Sequence, residues 1–415
     1  MLNISRLFKV SSRKYLIEKC FCHSINPEIT KNSIVQHLRT KLQIGGPISI
    51  ADYMKEILTS PLGGYYMHRD VFGAEGDFVT SPEVSQVFGE LIAIWFLNEW
   101  SKAGSPKPIQ IVELGPGRGT LCHDILRVFA RFKLLDYATV HLVEVSPHLT
   151  KLQAETLRVS LNQNDDCGDN FYVQKGNSTY GVPVFWYRHL DSVPKNFTIF
   201  IAHEFFDALP VHQFKKTNNG YREVLIDIDP HKPTHFRYVL APTETPIGKL
   251  FIGLKETRSY VEISPETLSL TNKIAHRLER YGGLALIVDY GHNGDGTDSF
   301  RAFKNHKLHD PLIEPGSADL TADVDFAAIK KAAIQNNEVL VTGPILQCEF
   351  LRNMGIDFRL EKLKTQATSG QKESLDFGYK MLMDRDKMGE RFKFLAVVPA
   401  TLSLILNKYP LCGFN

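Results

Sequence analysis

The fold class is indicated most clearly by the stretch Ile111-Val112-Glu113-Leu114-Gly115-Pro116-Gly117-Arg118-Gly119-Thr120-Leu121. An apolar run leads into three glycines at alternate positions, and a helix-forming segment follows them. Gly115, Gly117 and Gly119 allow the backbone to turn tightly and to approach a ligand more closely than any Cβ would permit. The stretch therefore predicts a strand, a ligand-binding turn and a helix, which together form the first unit of a nucleotide-binding α/β sheet.

Two acidic residues indicate which kind of nucleotide the turn binds. Glu113 ends the first strand, and Glu144 ends the next strand, 25 positions after Gly119. Glu144 lies where the acid that binds ribose hydroxyls belongs in such folds. The G-x-G-x-G spacing and Glu113 favour S-adenosylmethionine, because an acid suits its sulfonium cation but not the pyrophosphate of a dinucleotide. An NAD-dependent oxidoreductase is the alternative.

Short apolar runs recur after residue 108 and alternate with helical segments. Such runs are typical of parallel strands that are buried on both faces. The runs cover residues 109–114, 139–145, 183–187, 197–202 and 284–289, with helical segments at 121–132 and 149–161. This alternation predicts an α/β fold with a doubly wound, mostly parallel, Rossmann-like methyltransferase sheet. Residues 392–398 are predicted as a last strand at the edge of that sheet.

The sheet domain is predicted to span residues 106–415, after the boundary Ser105-Pro106-Lys107-Pro108. An insertion at about residues 210–265 has alternating stretches on both sides of Asn218-Asn219-Gly220, a pattern that predicts an antiparallel hairpin. Residues 28–105 are predicted as an N-terminal helical subdomain. It includes a loop rich in glycine and aromatic residues that faces the site, and a helix capped by Ser81.

Residues 1–24 are predicted as a mitochondrial transit peptide. They contain five basic residues and one acid, so residues 25–415 sum to −2 although the whole chain has a net charge of +2. The body therefore lacks the basic surplus of a nucleic-acid-binding protein. Charges interrupt every apolar run, which predicts a soluble matrix protein without a membrane span. Six scattered cysteines predict neither a disulfide framework nor a metal site.

Two carboxylates follow the fourth predicted strand. The segment His203-Glu204-Phe205-Phe206-Asp207-Ala208-Leu209-Pro210 lies where substrates of open α/β sheets bind, beyond the carboxyl ends of the strands. Glu204 and Asp207 are therefore the candidate catalytic residues at the transferred methyl group. The alternative is that these acids only make structural hydrogen bonds.

Six motifs occur along the chain in the order Gly76-Asp77-Phe78-Val79-Thr80-Ser81-Pro82-Glu83, Glu113-Leu114-Gly115-Pro116-Gly117-Arg118-Gly119, Glu144-Val145-Ser146-Pro147, the His203 segment, Glu262-Ile263-Ser264-Pro265 and Asp289-Tyr290-Gly291. Together they resemble a known family, the MidA-like methyltransferases, which are mitochondrial protein-arginine methyltransferases that assist the assembly of respiratory complex I. The resemblance extends from about residue 34 to beyond residue 351.

The resemblance implies symmetric dimethylation of an arginine on a core complex I subunit at the quinone end, with S-adenosyl-L-methionine as cofactor. Asp77, Thr80, Ser81, His203 and Glu262 become candidates for the substrate cleft. Many relatives have Asn where this chain has His203, and the paired-glutamate loop of better-known arginine methyltransferases is absent. A non-catalytic assembly chaperone that keeps a relic nucleotide pocket is the second alternative, and the oligomeric state is open.

Overall fold

The structure is a computed structural model, and it describes residues 27–71, 76, 79–161 and 172–415. The predicted transit peptide and Asp77 lie outside the described residues. Within the described ranges the helices are α1 Pro27–Gly45, α2 Ile50–Thr59, α3 Ser81–Val84, α4 Gln86–Lys102, α5 Thr120–Arg131, α6 Pro147–Thr156, α7 Pro246–Phe251, α8 Pro265–Tyr281, α9 Phe326–Ile334, α10 Gln347–Asn353, α11 Ile356–Lys364, α12 Ser369–Met383 and α13 Ser403–Lys408.

The strands form three sheets. They are β1 Ile48–Ser49, β2 Ile109–Leu114, β3 Ala138–Val143, β4 Ser160–Leu161, β5 Gln174–Asn177, β6 Pro183–Tyr187, β7 Thr198–His203, β8 His212–Thr217, β9 Gly220–Ile228, β10 Phe236–Leu240, β11 Tyr260–Ile263, β12 Gly283–His292, β13 Arg301–Lys304, β14 Lys307–His309, β15 Asp319–Thr321, β16 Val324–Asp325, β17 Val339–Leu346 and β18 Phe392–Pro399.

The central sheet has the order β17-β18-β12-β7-β2-β3-β6-β5-β4, and β16 pairs with β12. Strands β6, β3, β2, β7 and β12 are parallel to one another. Strand β18 pairs antiparallel with both β12 and β17, and β5 pairs antiparallel with β6. This sheet confirms the predicted doubly wound α/β fold. The chain adds β3 and β6 on one side of β2 and then returns to add β7 on the other side. The strand order therefore reverses between β2 and β7, which is where such sheets bind nucleotides.

One strand prediction is wrong. The segment 392–398 is an inner strand, because β18 lies between β12 and β17, and β17 forms the edge. Strand β18 pairs with both neighbours through backbone hydrogen bonds, and seven of its eight residues, all except Lys393, are buried. The edge strand β17 contains Gly343-Pro344 and a register shift, which interrupt the apolar run that would have indicated a strand.

The predicted helix with Ser81 as its cap is also different. Thr80 is the N-terminal cap of the short helix α3, and Ser81 is the first helical residue. The side chain of Glu83 accepts hydrogen bonds at 3.2 Å from the backbone N–H and the hydroxyl of Thr80. The chain then becomes extended at Ser85, whose hydroxyl accepts a hydrogen bond from the N–H of Val87 and starts α4. Because Ser85 caps a new helix, the segment predicted as one helix is divided into α3 and α4.

Residues 28–105 do not pack as one helical body. Helix α4 packs against α5 and the central sheet, and its buried residues include Phe88, Ile92 and Trp95. Helices α1 and α2 instead share a core with the insertion, in which Leu38 and Met54 pack with Ile226 of β9. The insertion is the predicted antiparallel region, because β8, β9, β10 and β11 pair antiparallel and β1 adds to β9.

A third, small antiparallel sheet consists of β14, β13 and β15. It follows β12 in the chain and supplies Arg301, Asp319 and Thr321 to the region beyond the ends of β7 and β12. Within the described ranges, no helix combines the length and the apolar character that crossing a membrane requires.

Candidate functional site

A large cleft lies at the carboxyl ends of β2, β3 and β7, where the sheet order reverses. Its volume is about 1360 Å³. Pockets for one small ligand measure roughly 300–1,000 Å³, so the cleft has room for a nucleoside and for part of a second molecule. It joins the glycine turn and both predicted strand-end acids to Glu204 and Asp207 in one space.

The glycine turn forms part of the wall of the cleft. Gly115 and Gly117 line it with positive φ angles of 60° and 52°, the left-handed region that glycine tolerates best. A Cβ on Gly115 would lie 2.5 Å from the ring of Phe205, so this glycine is also required for packing. Gly119 does not line the cleft. It has a φ of 83° as the N-cap of α5 and packs beside Gln153.

Glu113 is buried and lines the cleft at the end of β2. Burial raises its pKa to about 8, and its Oε2 atom has no hydrogen-bond partner within the described part of the chain. A buried carboxylate oxygen without a donor is costly unless a cation or an N–H group of a ligand satisfies it. Glu113 therefore fits the cationic part of S-adenosylmethionine.

Glu144 lies beside it, at the end of β3. Its carboxylate accepts hydrogen bonds from the N–H of Ser146 at 2.7 Å and from the side chain of Gln153 at 3.1 Å. Burial raises the pKa of Glu144 to about 7, although these hydrogen bonds act to lower the pKa. A carboxylate has more acceptor positions than these two donors use, so it can still accept ribose hydroxyls.

Gln153 is a cofactor-side residue that the sequence did not indicate. Its side-chain amide donates to the carbonyl of Gly117 at 2.8 Å as well as to Glu144, and its oxygen accepts from the indole of Trp186 at 2.9 Å. It thus sets the distance between the glycine turn and Glu144. A glutamine on a helix gives no sequence signal for this role, because the contact arises only when α6 packs beside the turn.

Glu204 follows β7 with a φ of 49°, which is strained for a residue that has a Cβ. Its Oε1 atom accepts the N–H of Ser81 at 3.3 Å, and Nε2 of His203 lies 3.4 Å away. Burial, followed by the nearby Asp207, raises the pKa of Glu204 well above its usual range. Strained residues of this kind are concentrated at functional sites.

Asp207 is held more firmly than Glu204. Its Oδ2 atom accepts the hydroxyl of Tyr290 and, at 3.0 Å, the hydroxyl of Thr321. Burial raises its pKa, while the hydrogen bonds from Tyr290 and Thr321 act in the opposite direction. The backbone turn that connects Glu204 to Asp207 is fixed by Asp289, whose carboxylate accepts hydrogen bonds from three consecutive backbone N–H groups. Tyr290, Thr321 and Asp289 were not among the predicted site residues, although the Asp289-Tyr290-Gly291 motif marked two of them.

The other candidates divide into two groups. Thr80 and His203 line the cleft, whereas Ser81 lies behind it and Glu262 is not part of its wall. Glu262 accepts hydrogen bonds from Gln213, from Ser299 and from the N–H of Phe300, so it holds the insertion to the segment after β12. His203 is buried between the rings of Phe88 and Phe392, and burial lowers its pKa to about 3, so it is neutral.

Further acids surround the substrate side of the cleft. Asp319 lines it and accepts the hydroxyl of Tyr66 at 2.7 Å, and Asp323 pairs with Arg301 at 2.7 Å. In the described part of the chain, no group of three or more His, Cys, Asp or Glu side chains is arranged to hold a metal ion. The cleft thus offers acids to a cationic substrate group next to the residues that fit the cofactor.

Comparisons with known proteins agree with this geometry. A family model described as an S-adenosyl-L-methionine-dependent methyltransferase matches residues 91–345. A crystal structure from Burkholderia thailandensis with bound S-adenosyl-homocysteine has a TM-score of 0.73 and 24% sequence identity, and the alignment covers 91% of this chain and 95% of that one. That similarity shows the fold.

Curated relatives are more similar in sequence. The mitochondrial protein arginine methyltransferase NDUFAF7 homolog of Drosophila melanogaster is 49% identical over 396 residues, which are 94% of this chain and 91% of that protein. The mitochondrial protein arginine methyltransferase NDUFAF7 of Homo sapiens is 50% identical over 375 residues, which are 88% of this chain and 83% of that protein. These names confirm the predicted mitochondrial localisation. The family match also confirms S-adenosyl-L-methionine as the cofactor and leaves the NAD-dependent alternative without support. The chain therefore belongs to the S-adenosyl-L-methionine-dependent methyltransferase family that includes the mitochondrial proteins of fruit fly and human.

Proposed function

We propose that this enzyme methylates the guanidinium group of an arginine in a protein, and that the product is symmetric dimethylarginine on a core subunit of complex I, at its quinone end, during assembly in the mitochondrial matrix. The names of the relatives support arginine as the acceptor. The subunit and the symmetric product are supported by the motif resemblance. The structural observation that carries the proposal is the set of buried acids that shares one cleft with Glu113 and Glu144.

Glu204 is the acid best suited to bind the guanidinium. S-adenosylmethionine supplies an electrophilic methyl group at a sulfonium sulfur. The guanidinium is a cation at neutral pH and donates hydrogen bonds in a planar fork that matches a carboxylate. Asp207 and Asp319 already accept side-chain hydroxyls, whereas Glu204, within the described residues, accepts a backbone N–H at 3.3 Å and no other hydrogen bond. Glu204 therefore has the most acceptor capacity left.

The raised pKa of Glu204 also suits a proton transfer. An arriving guanidinium favours the ionised carboxylate, because an opposite charge at close range stabilises it. Methylation makes the reacting nitrogen lose one proton, and the carboxylate of Glu204 can accept it. A carboxyl group whose pKa is raised by burial is a better proton acceptor than an ordinary glutamate. The second acid, Asp207, is held in a fixed position in the same cleft by hydrogen bonds from Tyr290 and Thr321.

The test is single-turnover transfer of labelled methyl groups to the complex I core subunit, expressed alone, by Glu204→Gln and Asp207→Asn variants. We expect Glu204→Gln to lose about 10²-fold or more in transfer rate, the scale for removal of a preorganised charge, while S-adenosyl-homocysteine binds with unchanged affinity in calorimetry. Asp207→Asn should lose activity as well. Glu155→Gln, on the exposed outer side of α6, is the matched control.

Three outcomes would contradict the proposal. If both cleft variants transfer methyl groups at the wild-type rate, the acids are structural. If mass spectrometry finds the label on a residue other than arginine, the acceptor is wrong. If Glu204→Gln abolishes transfer but still restores complex I in cells that lack the protein, complex I assembly requires the chain but not its methyl transfer.

A further inference from the structure

Arg118 lies inside the glycine turn, between Gly117 and Gly119, but its guanidinium contacts residues far away in sequence. Its Nε atom donates to both carboxylate oxygens of Asp70, at 3.2 and 2.9 Å, and its Nη2 atom donates to Asp70 as well. The Nη1 atom lies 3.6 Å from Oε1 of Glu83. A two-point arginine–carboxylate pair fixes direction as well as distance.

The Glu144 half of the cofactor site contacts the same N-terminal region. The hydroxyl of Ser146 donates to the carbonyl oxygen of Tyr66 at 2.6 Å, and the N–H of Ser146 donates to Glu144 at 2.7 Å. We call Tyr66, Asp70, Thr80, Ser81 and Glu83 the N-terminal wall. Both elements that are suited to hold the cofactor are therefore joined to this wall by direct contacts.

The opposite side of the wall contacts the acids. The hydroxyl of Tyr66 donates to Oδ1 of Asp319 at 2.7 Å, and the N–H of Ser81 donates to Oε1 of Glu204 at 3.3 Å. The wall thus lies between the cofactor side and the acid side of one cleft and makes hydrogen bonds to both. A shift of the wall would change the positions of the donors that Glu204 and Asp319 depend on.

We propose that Arg118 is a positioning residue through which a bound cofactor fixes the N-terminal wall and, with it, Glu204 and Asp319. The glycines on both sides of Arg118 give the turn freedom, and a ligand packed against the turn removes that freedom. The Arg118–Asp70 pair then transmits the fixed geometry to the wall. Coupling of this kind is reciprocal, so a substrate bound at the acids also favours cofactor binding.

Amide hydrogen exchange of the full chain, with S-adenosyl-homocysteine as the probe, tests this without any methyl transfer. In the wild type, the probe should slow exchange in residues 113–121 and also in α3. In Arg118→Met, the slowing at 113–121 should remain, while the slowing in α3 should decrease about fivefold or more, the lower end of typical coupling between sites. Arg131→Met, on the exposed last turn of helix α5, which follows the glycine turn, should behave as the wild type.

A second variant covers the case in which Arg118→Met no longer binds the probe. Asp70→Asn removes the same ion pair from the wall side and leaves the glycine turn intact, so it should also lose the slowing in α3. Arg118→Lys should restore part of it, because it keeps the charge but not the two-point geometry. If Asp70→Asn and a probe-binding Arg118→Met both show wild-type slowing in α3, the proposal is wrong. None of these results depends on the identity of the methyl acceptor.

Discussion

The carboxylate of Asp289, at the end of the parallel pairing between β12 and β7, accepts the backbone N–H of Phe206 at 2.9 Å. The same oxygen accepts the N–H groups of Phe205 and Asp207 at 3.2 and 3.3 Å, and the other oxygen accepts the N–H of Tyr290 at 3.0 Å. Asp289 is fully buried and does not line the cleft. It therefore acts by holding the strained turn at Glu204.

Asp289→Asn keeps the size of the side chain but replaces one acceptor by a donor that faces a backbone N–H. We expect a loss of about 1–3 kcal/mol in the free energy of unfolding, the cost of an unsatisfied buried group, and a larger fractional loss in the rate of methyl transfer than in cofactor affinity. Urea unfolding, calorimetry and single-turnover assays measure the three effects. Asp386→Asn, at an exposed position, is the control. An unchanged unfolding free energy would contradict the anchoring role.

The pH dependence of cofactor binding should follow Glu113. Its pKa is raised by burial from 4.5 to about 8, so the folded chain without cofactor holds this proton more tightly than the unfolded chain. The stability contributed by this group therefore decreases as pH rises through that window. A cation prefers the ionised carboxylate, so affinity for S-adenosylmethionine should increase over the same window and binding should release protons.

Calorimetry in buffers of different ionisation enthalpy measures that proton release directly. Glu113→Gln should weaken binding of the cofactor. It should also reduce the pH dependence of both the cofactor affinity and the melting temperature. Glu144, whose pKa is raised to about 7, contributes in the same direction and explains any slope that remains in the variant. If Glu113→Gln keeps the full slope of the wild type, Glu113 does not face the cofactor.

Gly117→Val should abolish S-adenosylmethionine binding while the chain stays folded. The new side chain would project at a position that lines the cleft, and the positive φ of 52° adds strain of about 1–3 kcal/mol. Gly253→Val is the control, because no atom lies within 4 Å of the Cβ position at Gly253. Calorimetry of both folded variants decides the matter, and wild-type affinity in Gly117→Val would remove the pocket assignment.

We expect residues 1–24 to direct import and to be absent from the organelle form of the protein. A fluorescent fusion that lacks them should remain in the cytosol, whereas a fusion that carries them alone should enter mitochondria. N-terminal sequencing of the imported protein checks the cleavage. Import of the truncated fusion, or a mature protein that begins at Met1, contradicts this interpretation.

The cofactor half of the site could be predicted from the sequence because its residues follow each other closely along the chain. The glycine turn and Glu113 form one local motif, and Glu144 ends the next strand. The part of the site around Glu204 and Asp207 depends instead on segments that are far apart in the sequence. Tyr66 reaches the cleft from the N-terminal loop, Asp319 reaches it from β15, and Thr321 of β15 contacts Asp207. No local spacing connects these residues to Glu204.

The wrong predictions have the same physical origin. The position of β18 inside the sheet follows from its pairing with β17 and β12, which an apolar run cannot indicate. Glu262 carried a motif that suggested a site, but its carboxylate is used by Gln213 and Ser299. A motif shows that a residue is constrained, while the contacts decide whether the constraint serves the ligand or the fold.

The shared core of α2 and the insertion has a consequence for biogenesis. Ile48 and Ser49 pair with Ile226 and Leu225, and the buried side chains of Tyr53 and Met54 pack with residues from β9 and β15. A chain that emerges into a compartment with its N-terminus first exposes these apolar side chains long before their partners arrive. Contacts between distant segments form slowly, and exposed apolar surface promotes aggregation in the meantime. We therefore expect folding of the newly imported enzyme to depend on chaperones that shield its N-terminal helices until the insertion has entered.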